Sequence, residues 1–193
     1  EDANIKELVS IYGIKVIERP EYLSEDKVPL DPVVKHAVEK AEEDFRKKYD
    51  IIITLQPTSP LLKQKTLKKA ITSFKQSDID TLISCYEKRN LFWIKKRDSK
   101  YKPFYSERKN RQFLAPVFEE TGAFLICKRK ILEKGTRIGE RVRIFPMDYE
   151  EGIDIDDWLD WTIAEHLLKR RRIAIRVDGD GDIGLGHVYR CLT

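Results

Sequence analysis

Two short stretches of this chain carry side chains suited to a charged, hydroxyl-rich ligand. The first is Gln56-Pro57-Thr58-Ser59-Pro60-Leu61, directly after the apolar run Ile51-Ile52-Ile53-Thr54-Leu55. Its amide and two hydroxyls offer donors and acceptors, and Pro57 and Pro60 restrict the backbone that presents them. A polar loop at the carboxyl end of a strand is where open α/β sheets place ligands. The plainer reading is a strand-to-helix connection with Thr58 or Ser59 near a helix cap. The second stretch is Ile153-Asp154-Ile155-Asp156-Asp157-Trp158-Leu159-Asp160. In an extended segment Asp154 and Asp156 project to one face while the isoleucines turn to the other, an arrangement that suits a divalent cation. One of Asp156 and Asp157 also stands where the helix holding Leu159 and Ile163 wants an N-cap, and Asp157 and Asp160 fit capping and surface roles best.

The elements that must position these residues follow from the apolar periodicity. Ile5, Leu8, Val9 and Tyr12 form a helical stripe that ends at Gly13, and Ile14-Lys15-Val16-Ile17 reads as a short strand. Val33, Ala37, Val38, Ala41 and Phe45 predict a helix over about 31–48, followed by a fully buried parallel strand over 50–55. Leu67, Ala70, Ile71 and Phe74 predict another helix, and 80–86 another strand. Further strands are predicted over 122–127 and 142–145, a short helix over 128–132, and a helix over 157–169 that lays one face on the sheet. This alternation is a βαβ rhythm, hence a mostly parallel, Rossmann-like sheet with helices on both faces. The rhythm breaks over about 88–118, where Phe92, Trp93, Tyr101, Phe104, Tyr105 and Phe113 alternate with Lys and Arg. Such a segment reads either as a nucleic-acid surface or as an arm that packs on a partner subunit. It is short and irregular for a nucleic-acid module.

Composition sets the outer limits. The 193 residues suffice for one sizeable core and the beginning of a second. With 37 basic and 33 acidic residues the net charge is only +4, which argues weakly for an anionic ligand and poorly for nucleic acid. Cys85, Cys127 and Cys191 are odd in number and widely separated, and the first two lie in strand-like runs, so buried free thiols are expected. No signal peptide or long apolar stretch is evident, so no membrane partner is expected and the default location is cytoplasmic. His36 and His166 read as surface residues.

Four stretches, in order, carry a family resemblance. Gln56-Pro57-Thr58-Ser59-Pro60-Leu61 resembles the signature loop of the acylneuraminate cytidylyltransferases, the CMP-sialic acid synthetases and their relatives. Arg19-Pro20-Glu21-Tyr22-Leu23-Ser24-Glu25-Asp26 is similar to an Arg-Pro loop of that family, Arg111-Gln112 with Gly122-Ala123-Phe124 to its Arg-Gln and Asn-Gly-Ala segments, and Ile153–Asp160 to its closing acidic motif. The resemblance covers about 1–168 and implies a nucleotide-diphospho-sugar transferase fold with a dimerisation arm at 88–118, hence a homodimer. It implies transfer of CMP from CTP to an acidic nine-carbon sugar with release of pyrophosphate, and Mg2+ held by Asp154 and Asp156 as the catalytic acids. Substrate contacts would come from Gln56, Thr58, Ser59, Arg111, Gln112, Thr121 and Gly122, with Arg111 facing the sugar carboxylate and Arg19 near the nucleotide.

The chain also departs from the pattern. Thr121 stands where the family has Asn, and Lys27-Val28-Pro29-Leu30 replaces a Ser/Thr cluster. The family's amino-terminal strand and glycine-rich basic loop have no counterpart before Glu1, so the expectation is an N-terminally incomplete domain with little or no activity. Residues 169–193 read as a junction and a second start: Arg172–Asp178 as a strand, then a glycine-rich loop reaching Gly186-His187. This piece resembles the opening of nucleotide-sugar hydrolases of pseudaminic acid synthesis. Two other readings stay open: a non-catalytic remnant or binding module of the same fold, and a different sugar-nucleotide transferase.

Overall fold

The computed structural model describes residues 3–170. The strand and glycine-rich loop expected over 172–187, with Cys191 and the hydrolase-like start, lie outside the described residues.

The strands β1 (Ile51–Leu55), β2 (Thr81–Lys88), β5 (Val117–Lys128) and β6 (Val142–Pro146) form one sheet in the order β1-β5-β2-β6, and β3 (Trp93–Lys95) and β4 (Tyr101–Pro103) pair as a separate hairpin. β2 and β6 are parallel, whereas β5 runs antiparallel to both β1 and β2. Three strands thus share one direction and β5 opposes them, giving a mixed α/β sheet.

Alternation along β2 and β5 divides the core in two. Leu82, Phe124 and Ile126 face helix α3 (Gln64–Lys75), where they pack with Ala70 and Phe74. Ile83, Leu125 and Cys127 face the other side, packing with Leu132 of α4 (Arg129–Glu133) and with Val34 and Val38 of α2 (Leu30–Phe45). Side chains on successive strand residues point to opposite faces, so a doubly covered sheet needs apolar residues at both parities. Cys85 and Cys127 are buried and free, and burial pushes both thiols up to about 11.

Three expectations are corrected. Ile14–Ile17 forms no strand: Ile14 is 60% exposed, and among the described residues no strand pairs with it. Among the described residues β1 is an edge strand, paired only with antiparallel β5, and Ile53 and Leu55 are exposed rather than fully buried. An apolar run alone does not distinguish an edge from a centre. In α5 (Trp158–Lys169) only Ala164 is buried, and Leu159 and Leu168 face outward rather than onto the sheet. The stripe of α1 (Ala3–Ile11) likewise leaves Ile5 and Leu8 exposed, and Gly13 follows in the left-handed region at φ 65°.

Candidate active site

The site is assembled from three backbone features at the carboxyl end of β1. The first is the turn after Leu55. Ser59 N–H donates to Gln56 carbonyl at 3.2 Å, and Leu62 N–H to Ser59 carbonyl at 3.4 Å, so the polar residues wind into a compact turn before α3. Ser59 is buried with no hydrogen-bond partner for its hydroxyl among the described residues, and Thr58 is half-buried.

The second feature is a bulge. The β2–β5 register runs from Ile83 opposite Leu125 to Cys85 opposite Glu120, so Ser84 alone stands against residues 121–124. Hydroxyls replace the broken ladder. Ser84 Oγ donates to Phe124 carbonyl at 2.8 Å and accepts from Phe124 N–H at 3.0 Å, while Thr121 Oγ1 donates to Ser84 Oγ at 2.8 Å. Thr121 is therefore 2% exposed and turned inward, where its hydroxyl holds the bulge. The bulge places Gly122 at φ 71°, a conformation that suits glycine.

The third feature is the segment 147–157. Met147 N–H bonds to Cys85 carbonyl at 2.9 Å, Tyr86 hydroxyl donates to Tyr149 carbonyl at 2.7 Å, and the two tyrosine rings stack 5.1 Å apart. Ile155 N–H then donates to Thr58 carbonyl at 2.9 Å, joining the acidic segment to the Gln56 turn. Asp157 caps α5: its Oδ1 accepts from Leu159 and Asp160 N–H at 2.8 and 3.0 Å, and Asp160 returns a bond to Asp157 N–H. This reciprocal box gives Asp157 and Asp160 structural roles, as expected.

The three features meet at Gly122. A Cβ there would stand 2.8 Å from Asp154 Oδ2 and 3.1 Å from Gln56 Oε1, so the amide, the acid and the bare backbone share one spot. Beside it lies a hollow of about 50 Å³ lined by Thr54, Gln56, Glu120, Gly122 and Arg137. Among the described residues Asp154 Oδ1 is buried without a hydrogen-bond partner, and Asp156, two residues on, is exposed. Buried carboxylate oxygens ordinarily find partners, so this atom retains capacity for a cation. Among the described residues no three His, Cys, Asp or Glu side chains gather as a metal cage. One or two carboxylates are nonetheless what Mg2+ ordinarily takes from a protein when phosphate and water complete its shell, so the donor set fits.

Other expected residues lie apart. Arg111 and Gln112 form an exposed 3-10 turn on the arm and line a separate depression with Glu87 and Arg89. Arg19, exposed, donates from Nε to Ser24 Oγ at 3.0 Å within its own loop. Sequence reasoning missed Ser84, Glu151 and Arg137. A serine inside the apolar run of β2 was a visible signal; Glu151 and Arg137 act across long separations that leave no local mark.

No family model matches the chain. It is 29% identical over 168 residues to the post-translational flagellin modification protein B of Campylobacter coli, covering 84% of this chain and 72% of that protein. It is 27% identical over 173 residues to N-acylneuraminate cytidylyltransferase A of Danio rerio, covering 86% of this chain and 39% of that protein. Its fold superposes on CMP:2-keto-3-deoxy-manno-octonic acid synthetase complexed with CTP, with TM-score 0.56, 13% identity, and 88% and 79% of the two chains covered. Among the described residues no helix is long and apolar enough to cross a membrane. The chain is thus similar in sequence, over most of its length, to an acylneuraminate cytidylyltransferase and a flagellin modification protein, and it has the α/β fold of a CTP-binding nucleotidyltransferase.

Proposed function

We propose that this chain is of the CMP-nonulosonic acid synthetase type, transferring CMP from CTP to a hydroxyl of an acidic nine-carbon sugar. The observation that carries the reading is the meeting of Gln56 Oε1 and Asp154 Oδ2 over the bare backbone of Gly122. The sugar oxygen forms a bond to the α-phosphorus as the bond from that phosphorus to the pyrophosphate oxygen breaks. The hydroxyl proton leaves to solvent, and pyrophosphate departs. Positioning and charge stabilisation, more than covalent chemistry by the protein, govern such a step. Gln56 would orient sugar hydroxyls, and Gly122 would leave room for the ring. Asp154 and Asp156 would hold Mg2+, which when bound neutralises triphosphate charge. Arg19 would serve the nucleotide. Arg111 and Gln112, exposed on the arm, would serve the sugar carboxylate of a second copy in a homodimer, since a guanidinium pairs a carboxylate with two parallel bonds.

Titration calorimetry with CTP tests the reading. The unmodified chain is expected to bind CTP only with Mg2+ present, and the Asp154→Asn, Asp156→Asn double variant to lose that heat while keeping its circular dichroism. Absence of Mg2+-dependent CTP binding in the unmodified chain would favour a non-catalytic binding module of the same fold.

A further inference from the structure

Helix α3 starts without a cap of its own: Lys63 occupies the N-cap position, makes no side-chain cap bond, and the first turn holds no acid. The carboxylate that stands at this end comes from 88 residues away. Glu151 is 5% exposed, and its Oε1 accepts from Lys63 Nζ at 2.8 Å. Burial opposes ionisation of Glu151, yet the Lys63 ammonium and Thr66 outweigh it and hold the carboxyl below its ordinary range. A negative charge at a helix N-terminus is favoured by the helix dipole.

Glu151 lies three residues before Asp154, and little slack separates them. Glu151 and Gly152 N–H both bond to Asp148 carbonyl, at 3.0 and 3.2 Å. A Cβ on Gly152 would meet Thr121 Cγ2 and the Tyr86 ring at 2.9 Å, so this backbone is pressed against the bulge. On the far side of Asp154, Ile155 N–H is tied to Thr58 carbonyl. Asp154 therefore hangs between two ties, and both end on the stretch from Gln56 to Lys63.

We propose that the Lys63–Glu151 ion pair is the positioning pair of this site, fixing Asp154 against Gly122 and Gln56 and so setting the affinity for a divalent cation with a nucleoside triphosphate. The proposal rests on the functional reading above for its ligand, while the latch itself is independent of it. Groups behind a metal ligand characteristically alter affinity by about 10–100-fold when removed. Lys63 is half-exposed whereas the Glu151 carboxyl is buried, so Lys63 is the partner to change first.

The test combines amide hydrogen exchange by NMR with Mg–CTP calorimetry on the full chain. In Lys63→Met, exchange at the Ile155 amide is expected to rise at least about tenfold and Mg–CTP affinity to fall about tenfold. Amides of Leu82 and Ile126 should keep their protection, and Lys63→Arg should restore both readouts. Unchanged Ile155 exchange would overturn the latch, as would an equal rise at Leu82 and Ile126, which would mean general loosening. A rise at Ile155 with unaltered Mg–CTP affinity would overturn its link to the site. If the unmodified chain binds no Mg–CTP, the functional reading fails, and Ile155 exchange still decides the latch.

Discussion

The site and the arm differ in how far along the chain their bonds reach. The site is crossed by Lys63–Glu151, Thr58–Ile155 and Tyr86–Tyr149, which link segments far apart in sequence. The arm is held locally: Lys96 N–H bonds to Lys100 carbonyl at 2.7 Å, Phe104 N–H to Phe92 carbonyl at 2.9 Å, and Trp93 meets Tyr105 edge-on. Its large side chains stay outside, with Trp93 54% and Phe113 69% exposed. A region fixed by distant partners inherits the stability of the core, whereas a region fixed by near neighbours stands or melts alone. The site should thus fail with the core, and the arm should be alterable without cost to the core.

The largest effect is expected from Phe124→Ala. Phe124 is 2% exposed and packs edge-on against Phe145 beneath the bulge. A cavity there costs about 3–5 kcal/mol. Urea denaturation should show that loss, and CTP binding should disappear with it.

Gly122→Ala separates the site from the core. A side chain at φ 71° strains the backbone by about 1–3 kcal/mol, and its Cβ would displace the Asp154 carboxylate. Mg–CTP binding should be abolished while most of the fold survives, as read by circular dichroism and calorimetry.

A third test uses pH. The guanidinium of Arg129 and the ammonium of Lys48, with Tyr49 N–H, hold the buried Glu42 carboxyl down at about 2. Because the folded value lies below the unfolded one, the stabilisation is full above about pH 4.5 and fades as pH falls towards 2. Denaturant midpoints between pH 6 and pH 3 should fall in the unmodified chain and fall less steeply in Glu42→Gln.

The smallest effect on stability belongs to the arm. Trp93→Ser with Phe113→Ser should change unfolding free energy by no more than about 0.5 kcal/mol, as surface changes do. Light scattering should nonetheless show a dimer of the unmodified chain reduced to a monomer. An unmodified monomer, or a variant that stays dimeric, would contradict the arm's role.

What the sequence disclosed follows the same division. Helices α2 and α3 were legible because their apolar residues recur at helical spacing, and β2 because its run is short and β-branched. The capping role of Asp157 was legible because capping is local, though its reciprocal bond with Asp160 was not foreseen. The edge position of β1, the reversed direction of β5 and the inward turn of Thr121 were not, because strand neighbours are chosen by residues far away in sequence. Convergence of Gln56 and Asp154 was suggested by family resemblance alone; their spacing of about a hundred residues carries no local signal. The exposed stripes of α1 and α5 show the reverse error, since periodicity reports which face is apolar and not whether anything covers it.

The central claim is that Gln56, Gly122 and Asp154 form one cation-dependent site where nucleotide and sugar meet. Paramagnetic Mn2+ tests it directly, since carboxylate sites that take Mg2+ also take Mn2+. With CTP and substoichiometric Mn2+, NMR resonances of the Gln56 side-chain amide, the Gly122 amide and the Ile155 amide should broaden first, while the Trp93 indole on the arm stays sharp. Broadening centred elsewhere on the protein, or the same pattern in Asp154→Asn, would contradict the account.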